Sequence, residues 1–201
     1  MPRPLLDHLS NVTSRLAHVG EMQSACFAAA CVERSWRAYV RAAQGKPWNR
    51  GDTLRRTLDT AWSWCSGSGP RPAGLSAAAE GAVDVFDETG MQQPSDNAGR
   101  HVAVATYNLI ASIEERNSEG FSGSAQLNLD FIDAFLYEYL DLEQSTENDE
   151  AVDRHELMNA ERNRQTSDLV IVSERWSVPG TVEELRQTST DANVLGEYWY
   201  R

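Results

Sequence analysis

The chain has 201 residues, 41% of them hydrophobic, and a net charge of −12. That is one ordinary domain, able to bury roughly 70% of its unfolded surface without help from a metal or a disulfide. No apolar run exceeds the eight residues 25–32, far short of the ~20 that a membrane-spanning helix needs.

The opening, MPRPLLDHLSNV, lacks the apolar stretch of a signal peptide, and a cytoplasmic location is expected. Leu5, Leu9, Val12, Leu16 and Val19 step by four, three, four and three, one apolar stripe along a first helix. Gly20 ends it, and a second helix is expected from Glu21 to about Ala43. Its run ACFAAACV should be buried on nearly all sides, yet it ends in Glu33 and Arg34. Glu33 shares a helical stripe with Met22, Cys26, Ala29 and Trp36, whereas Arg34 lies 100° around. A carboxylate on an apolar stripe needs a partner, because an unpaired buried charge is too costly to keep.

GKPWNRG reads as a loop, and Asp52 is expected to cap a third helix whose face is Leu54, Leu58, Ala61, Trp62 and Cys65. Arg55, Arg56 and Asp59 lie close to that face. The expectation is that Glu33 reaches Arg55 or Arg56 and that Arg34 reaches Asp59. SGSGPRPAG is the strongest break in the chain, read as a long surface loop inside one domain. A short helix near 77–88 follows. TGMQQPSD is a loop with Ser95 or Asp96 as the next cap, opening a helix from 98 to about 116. Residues 124–142 are densely apolar and should form a buried helix. EQSTENDE is an acidic loop, and a helix from about 151 to 174 ends in LVIV. Pro179 and Gly180 make a turn, and Thr181 with Glu184 forms a capping-box pattern for a short helix near 182–188. GEYWYR gives the chain an aromatic end, expected to dock on the body or on a second copy in a homodimer. The sum is an all-α, single-domain bundle of about six to eight helices. Residues 1–175 form the helical domain, and 176–201 form a turn, a short helix and a docking tail.

Chemistry is harder to find. No Ser-His-Asp or Cys-His set, P-loop or GxGxxG is visible. His8, His18, His101 and His155 lie in separate segments, none of them in a Glu-x-x-His element. Cys26, Cys31 and Cys65 are odd in number and form no CxxC, so neither a disulfide framework nor a zinc site is expected. No cofactor and no metal are assigned.

Charge is unevenly placed. Residues 1–72 carry ten Arg and Lys against five Asp and Glu; residues 73–201 carry eight against twenty-five. The acidic part repels phosphate backbones and attracts a basic protein partner. Neither nucleic acid nor a membrane is expected as a partner. Asp130 with Asp133, Glu138 with Asp141, and Glu150 with Asp153 are each three apart, so each pair shares a helix face. They are candidates for a partner surface. Two such pairs on facing helices would suit Mg²⁺-dependent nucleotide hydrolysis.

FAAACVER, then Tyr39, Gly51, Asp52 and RRTLDTAW, resembles the YjaG-like family of bacterial helical proteins of uncharacterised function, as does LMNAERNRQTSDLV with Glu161 and Gln165 four apart. The matching residues include Phe27, Ala29, Glu33, Arg34, Arg55, Arg56, Leu58, Asp59 and Trp62, and the likeness covers roughly residues 5–174. Met22-Gln23 stands where the family often has Trp-Gln, and Arg37-Ala38 stands where it has Pro-Asn. Val104 replaces an acidic residue, removing one carboxylate from any shared set. The resemblance implies an all-α fold and brings no established activity. It carries an association with signalling, and helical domains like this one also occur beside secreted toxins as immunity proteins. The leading reading is a non-enzymatic protein-interaction module, in its sharper form an immunity protein that neutralises a basic toxin. The alternatives are a small-ligand or signalling regulator, with Glu33, Arg34, Asp59, Glu161 and Gln165 lining a pocket, and the Mg²⁺-dependent hydrolase.

Overall fold

A computed structural model describes residues 4–89, 94–192 and 194–195. Among these residues the regular structure is entirely helical: α1 (Pro4–Leu16), α2 (Glu21–Ala42), α3 (Gly51–Cys65), α4 (Ser76–Thr89), α5 (Pro94–Glu115), α6 (Phe121–Tyr139), α7 (Thr146–Asp153), α8 (Glu156–Glu174) and α9 (Thr181–Asp191), with one 3-10 turn at Ser118–Gly120. None of these helices is long and apolar enough to cross a membrane. The bundle is all-α, as the periodicity requires, with more helices than the six to eight expected.

Helix α2 is the hub. Residues 25–32 are completely buried, and α3, α5, α6, α8 and α9 all pack around them. Alanine and cysteine make this possible, because small side chains let neighbouring helices approach from every side. Val12 and Leu16 of α1 are buried, and α1 lies against α6 and α8. The Ser66–Leu75 stretch is the expected surface loop. Arg71 holds it in place by pairing with Glu21, donating to the Ile113 carbonyl and lying 5.3 Å over the Trp64 ring.

Several local expectations are corrected. Asp52 does not cap α3. The helix starts at Gly51, two residues before an Asp52 cap would place it, with Arg50 at the N-cap and the Gly51 N–H donating to Asn49 Oδ1 at 2.9 Å. α5 likewise begins at Pro94, a residue whose missing N–H and preset φ suit the first helical position. Asp96 is instead buried, accepting from Trp48 Nε1 at 2.9 Å and Lys46 Nζ at 3.2 Å. Gly99 lies so close to this corner that a Cβ would come within 2.5 Å of the Trp48 ring.

The single helix expected from 151 to 174 is two. Ser145 Oγ accepts from Asn148 N and starts α7 early, and His155 Nδ1 accepts from Leu157 N and starts α8 afresh. The capping box at Thr181 does not form. Gly180, at φ 83°, makes the turn. The Thr181 hydroxyl meets the Arg175 and Val178 carbonyls, and Glu184 pairs with Arg175 at 2.7 Å. α9 then lies against α2 and α8, and Val194 and Leu195 are buried beyond it. The aromatic tail of residues 196–201 lies outside the described residues.

Candidate functional site

Glu33 and Arg34 leave α2 in different directions and build two charged clusters, one on each flank. Their 100° separation on the helix wheel is what sends them apart.

On the α3 flank, Arg55 grips Glu33 with both terminal nitrogens, at 2.8 and 2.9 Å. Trp62 Nε1 donates to the same carboxylate at 3.0 Å. Arg55 also binds Asp59, one turn along its own helix, at 2.6 Å. Arg186 of α9 reaches Asp59 as well, and its guanidinium lies 5.8 Å over the Trp62 ring. Burial works against the charge on Arg55, but Glu33 and Asp59 outweigh it and hold the guanidinium above its ordinary range. Arg56 is exposed. So Glu33 meets Arg55, one of the two arginines expected, and uses Trp62 as well.

On the other flank, Arg34 does not reach Asp59. It inserts between two residues of α8. Its Nε and Nη2 donate to Glu161 at 2.9–3.2 Å, and its Nη1 donates to Asp168. Asn128 of α6 donates to Glu161 Oε1 at 3.1 Å and to the Cys31 carbonyl at 2.7 Å, and accepts from Ser35. Gln165 Nε2 donates to Glu161 Oε1 and to the Ala125 carbonyl, each at 3.1 Å. His8 of α1 meets Gln165 Oε1 at 2.8 Å. Burial opposes ionisation of Arg34, yet Glu161 and Asp168 hold it charged, well above its usual range. Burial also pushes the Asp168 carboxyl up, and Arg34 only partly offsets this.

Asp168, Asn128 and Ser35 were missed by the sequence reading. Two of them carry a signal. Glu161, Gln165 and Asp168 step by four and three, a polar stripe on a helix that should bury one face. Asn128 is a lone amide in a densely apolar run, where a buried amide needs partners.

The acidic candidates fall into two groups. Asp133 of α6 lies near Asp130 on its own helix and near Asp149 and Asp153 of α7. Burial and these three neighbours raise the Asp133 carboxyl to about 6. Burial also raises Asp130, which His101 partly offsets. Tyr137 donates to Asp149, and this pushes its phenol up to about 12. Asp153 is paired with Arg162, and Glu150 with Arg154 at 2.9 Å. Glu138 and Asp141 stand at and just beyond the C-terminal end of α6. Among the described residues no three His, Cys, Asp or Glu side chains converge as a metal site would require.

Two open depressions lie beside the outer cluster. One, of about 520 Å³, runs between Trp36, Tyr39 and Val40 of α2 and the start of α3 at residues 50–53. The other, of about 540 Å³, has Arg55, Arg56 and Asp59 on one wall and residues 68–70 on the other.

A family model described as "Protein of unknown function (DUF416)" matches residues 11–195. The chain belongs to this family. A solved DUF416 family protein from Shewanella baltica OS155 is similar in fold, with a TM-score of 0.75 over 92% of this chain and 96% of that one, at 18% identity. None of the curated proteins matches. The DUF416 match takes in α2, α3 and α8, and so both charged clusters.

Proposed function

We propose that this DUF416 protein is a non-enzymatic protein-interaction module that takes a basic partner on the face formed by α6 and α7. The observation that carries the reading is the setting of Asp133, where Asp130, Asp149 and Asp153 act on one carboxylate and, with burial, push it to about 6. Like charges held together in the free protein are relieved when cations dock against them, which favours a basic partner and speeds its approach at low salt. The buried acid and base groups support the same reading. Arg34, Glu161 and Gln165 are used up on one another and on neighbouring helices, the pattern of packing groups. The YjaG-like grouping, a cytoplasmic location and the role of an immunity protein against a basic toxin belong to this reading.

A second reading, a small-ligand regulator, draws on the depression beside Trp36 and Arg55, where an aromatic face and a guanidinium 5.2 Å apart line the same concavity.

Affinity capture tests the first reading. The wild-type chain and an Asp133→Lys, Asp149→Lys double variant are used as baits at about 50 mM and about 500 mM salt. The expected result is a basic protein held by the wild type at low salt, released at high salt and absent from the variant. Retention of the same protein by both baits, or at both salt concentrations, rejects the acidic face as the binding surface.

A further inference from the structure

All three cysteines are free and buried. Two of them lie along one seam. Cys26 lies in the second turn of α2, and Cys65 is the last residue of α3. The Cys65 thiol lies 3.8 Å from the Met22 carbonyl. That carbonyl is four residues before Cys26, the position that accepts the Cys26 N–H within a helix. Cys65 is thus level with Cys26 across the α2–α3 seam. Cys31 belongs to the opposite flank, where its sulfur accepts from Arg34 Nη2 at 3.3 Å.

We propose that Cys26 and Cys65 are a redox pair, closed by a peroxide into a disulfide that ties α2 to α3. Cys65 is the entry point, because the chain passes from it straight into the exposed residues 66–68. Its thiolate attacks one peroxide oxygen. The O–O bond breaks, water leaves after protonation, and a sulfenic acid remains. The Cys26 sulfur then attacks the oxidised sulfur. The S–S bond forms, the S–O bond breaks, and a second water carries off the Cys26 proton. Two electrons pass from the two sulfurs to the peroxide. Neighbouring Cys65 and burial raise the Cys26 thiol well above the ordinary thiol range, so little of it is thiolate and the resolving step is slow. The bridge would close the loop that contains Glu33, Arg55 and Trp62, holding the outer cluster and its two depressions in one geometry.

The test is hydrogen peroxide treatment of the intact folded chain, with folding followed by far-UV circular dichroism. The expected product is lighter by about 2 Da, without the gain of about 32 Da that marks a sulfinic acid. Alkylation after unfolding then labels Cys31 alone, and digestion yields a peptide pair joined through Cys26 and Cys65. The melting temperature rises by about 5–10 °C and returns on reduction. In Cys26→Ser, the unresolved Cys65 sulfenic acid reacts with dimedone. Three alkylatable thiols after treatment, a bridge that includes Cys31, or a bridge that forms only in denaturant overturns the proposal. The peptide map of the wild-type chain decides by itself if the variant fails to fold.

Discussion

On the α3 flank of α2, Glu33 is 4% exposed and meets an Arg55 side chain that keeps 25% of its surface in water. On the α8 flank, Arg34 and Glu161 are 2% and 0% exposed, and Asp168 is 8% exposed. The two clusters use the same chemistry, a guanidinium shared between two carboxylates, but in different dielectric surroundings. Water can still stabilise the outer charges when a partner is lost. The inner charges have only each other, so their ion pairs work largely by making every alternative packing worse. Adjacent residues of one helix therefore differ in what their loss should do.

The largest effect is expected at Arg34. Arg34→Ala strands Glu161 and Asp168 without a cation, and should lower unfolding stability by about 3–5 kcal/mol in urea titration. A loss under about 1 kcal/mol would show that water enters the inner cluster and would erase the contrast between the flanks. Replacing Arg34, Glu161 and Asp168 together by apolar residues of similar volume sharpens the point, because such an exchange should recover most of the stability.

The outer cluster should be more tolerant. Glu33→Ala leaves Arg55 with Asp59 and with solvent, and removes the acceptor for Trp62. The expected loss is about 1–2 kcal/mol, and it should shrink in high salt. A loss equal to that of Arg34→Ala would mean that exposure does not govern these pairs.

The smallest effect has the opposite sign. In the folded protein Asp133 is raised to about 6, above its ordinary 3.8. The folded state therefore holds this proton more tightly than the unfolded state. Its stabilising contribution is complete below about pH 4 and is lost as pH rises through about 6. At neutral pH the ionised carboxylate strains the fold. Asp133→Asn should therefore add roughly 1 kcal/mol at pH 7.5, after allowance for solvent screening, and clearly less at pH 5. An equal gain at both pH values would point to packing rather than charge.

Much of the architecture is legible along the chain. The stripe of Leu5, Leu9, Val12 and Leu16 gives α1, and LVIV continues a helix rather than starting a strand. The position of Glu33 among Met22, Cys26, Ala29 and Trp36 announces a carboxylate that needs a partner, and Arg55 is close enough in sequence to be named. The break at Arg154 and His155 is not legible in this way, because helical spacing runs through it and a histidine ring supplies the new cap. The partners of Arg34 are not legible either, since Asp168 and Glu161 lie more than 120 residues away.

Residue order alone therefore settles where helices run, which stripe of each is apolar and at what angle a charge departs. These follow from the 3.6-residue repeat, which reaches only a few residues along the backbone. Which helix stands at that angle depends on how the faces of the other helices share the buried volume around α2. Packing made Arg34 a partner of α8 and not of α3, and it placed Cys65 level with Cys26. No short stretch of the chain contains that information, because the contacts that decide it join segments far apart in sequence.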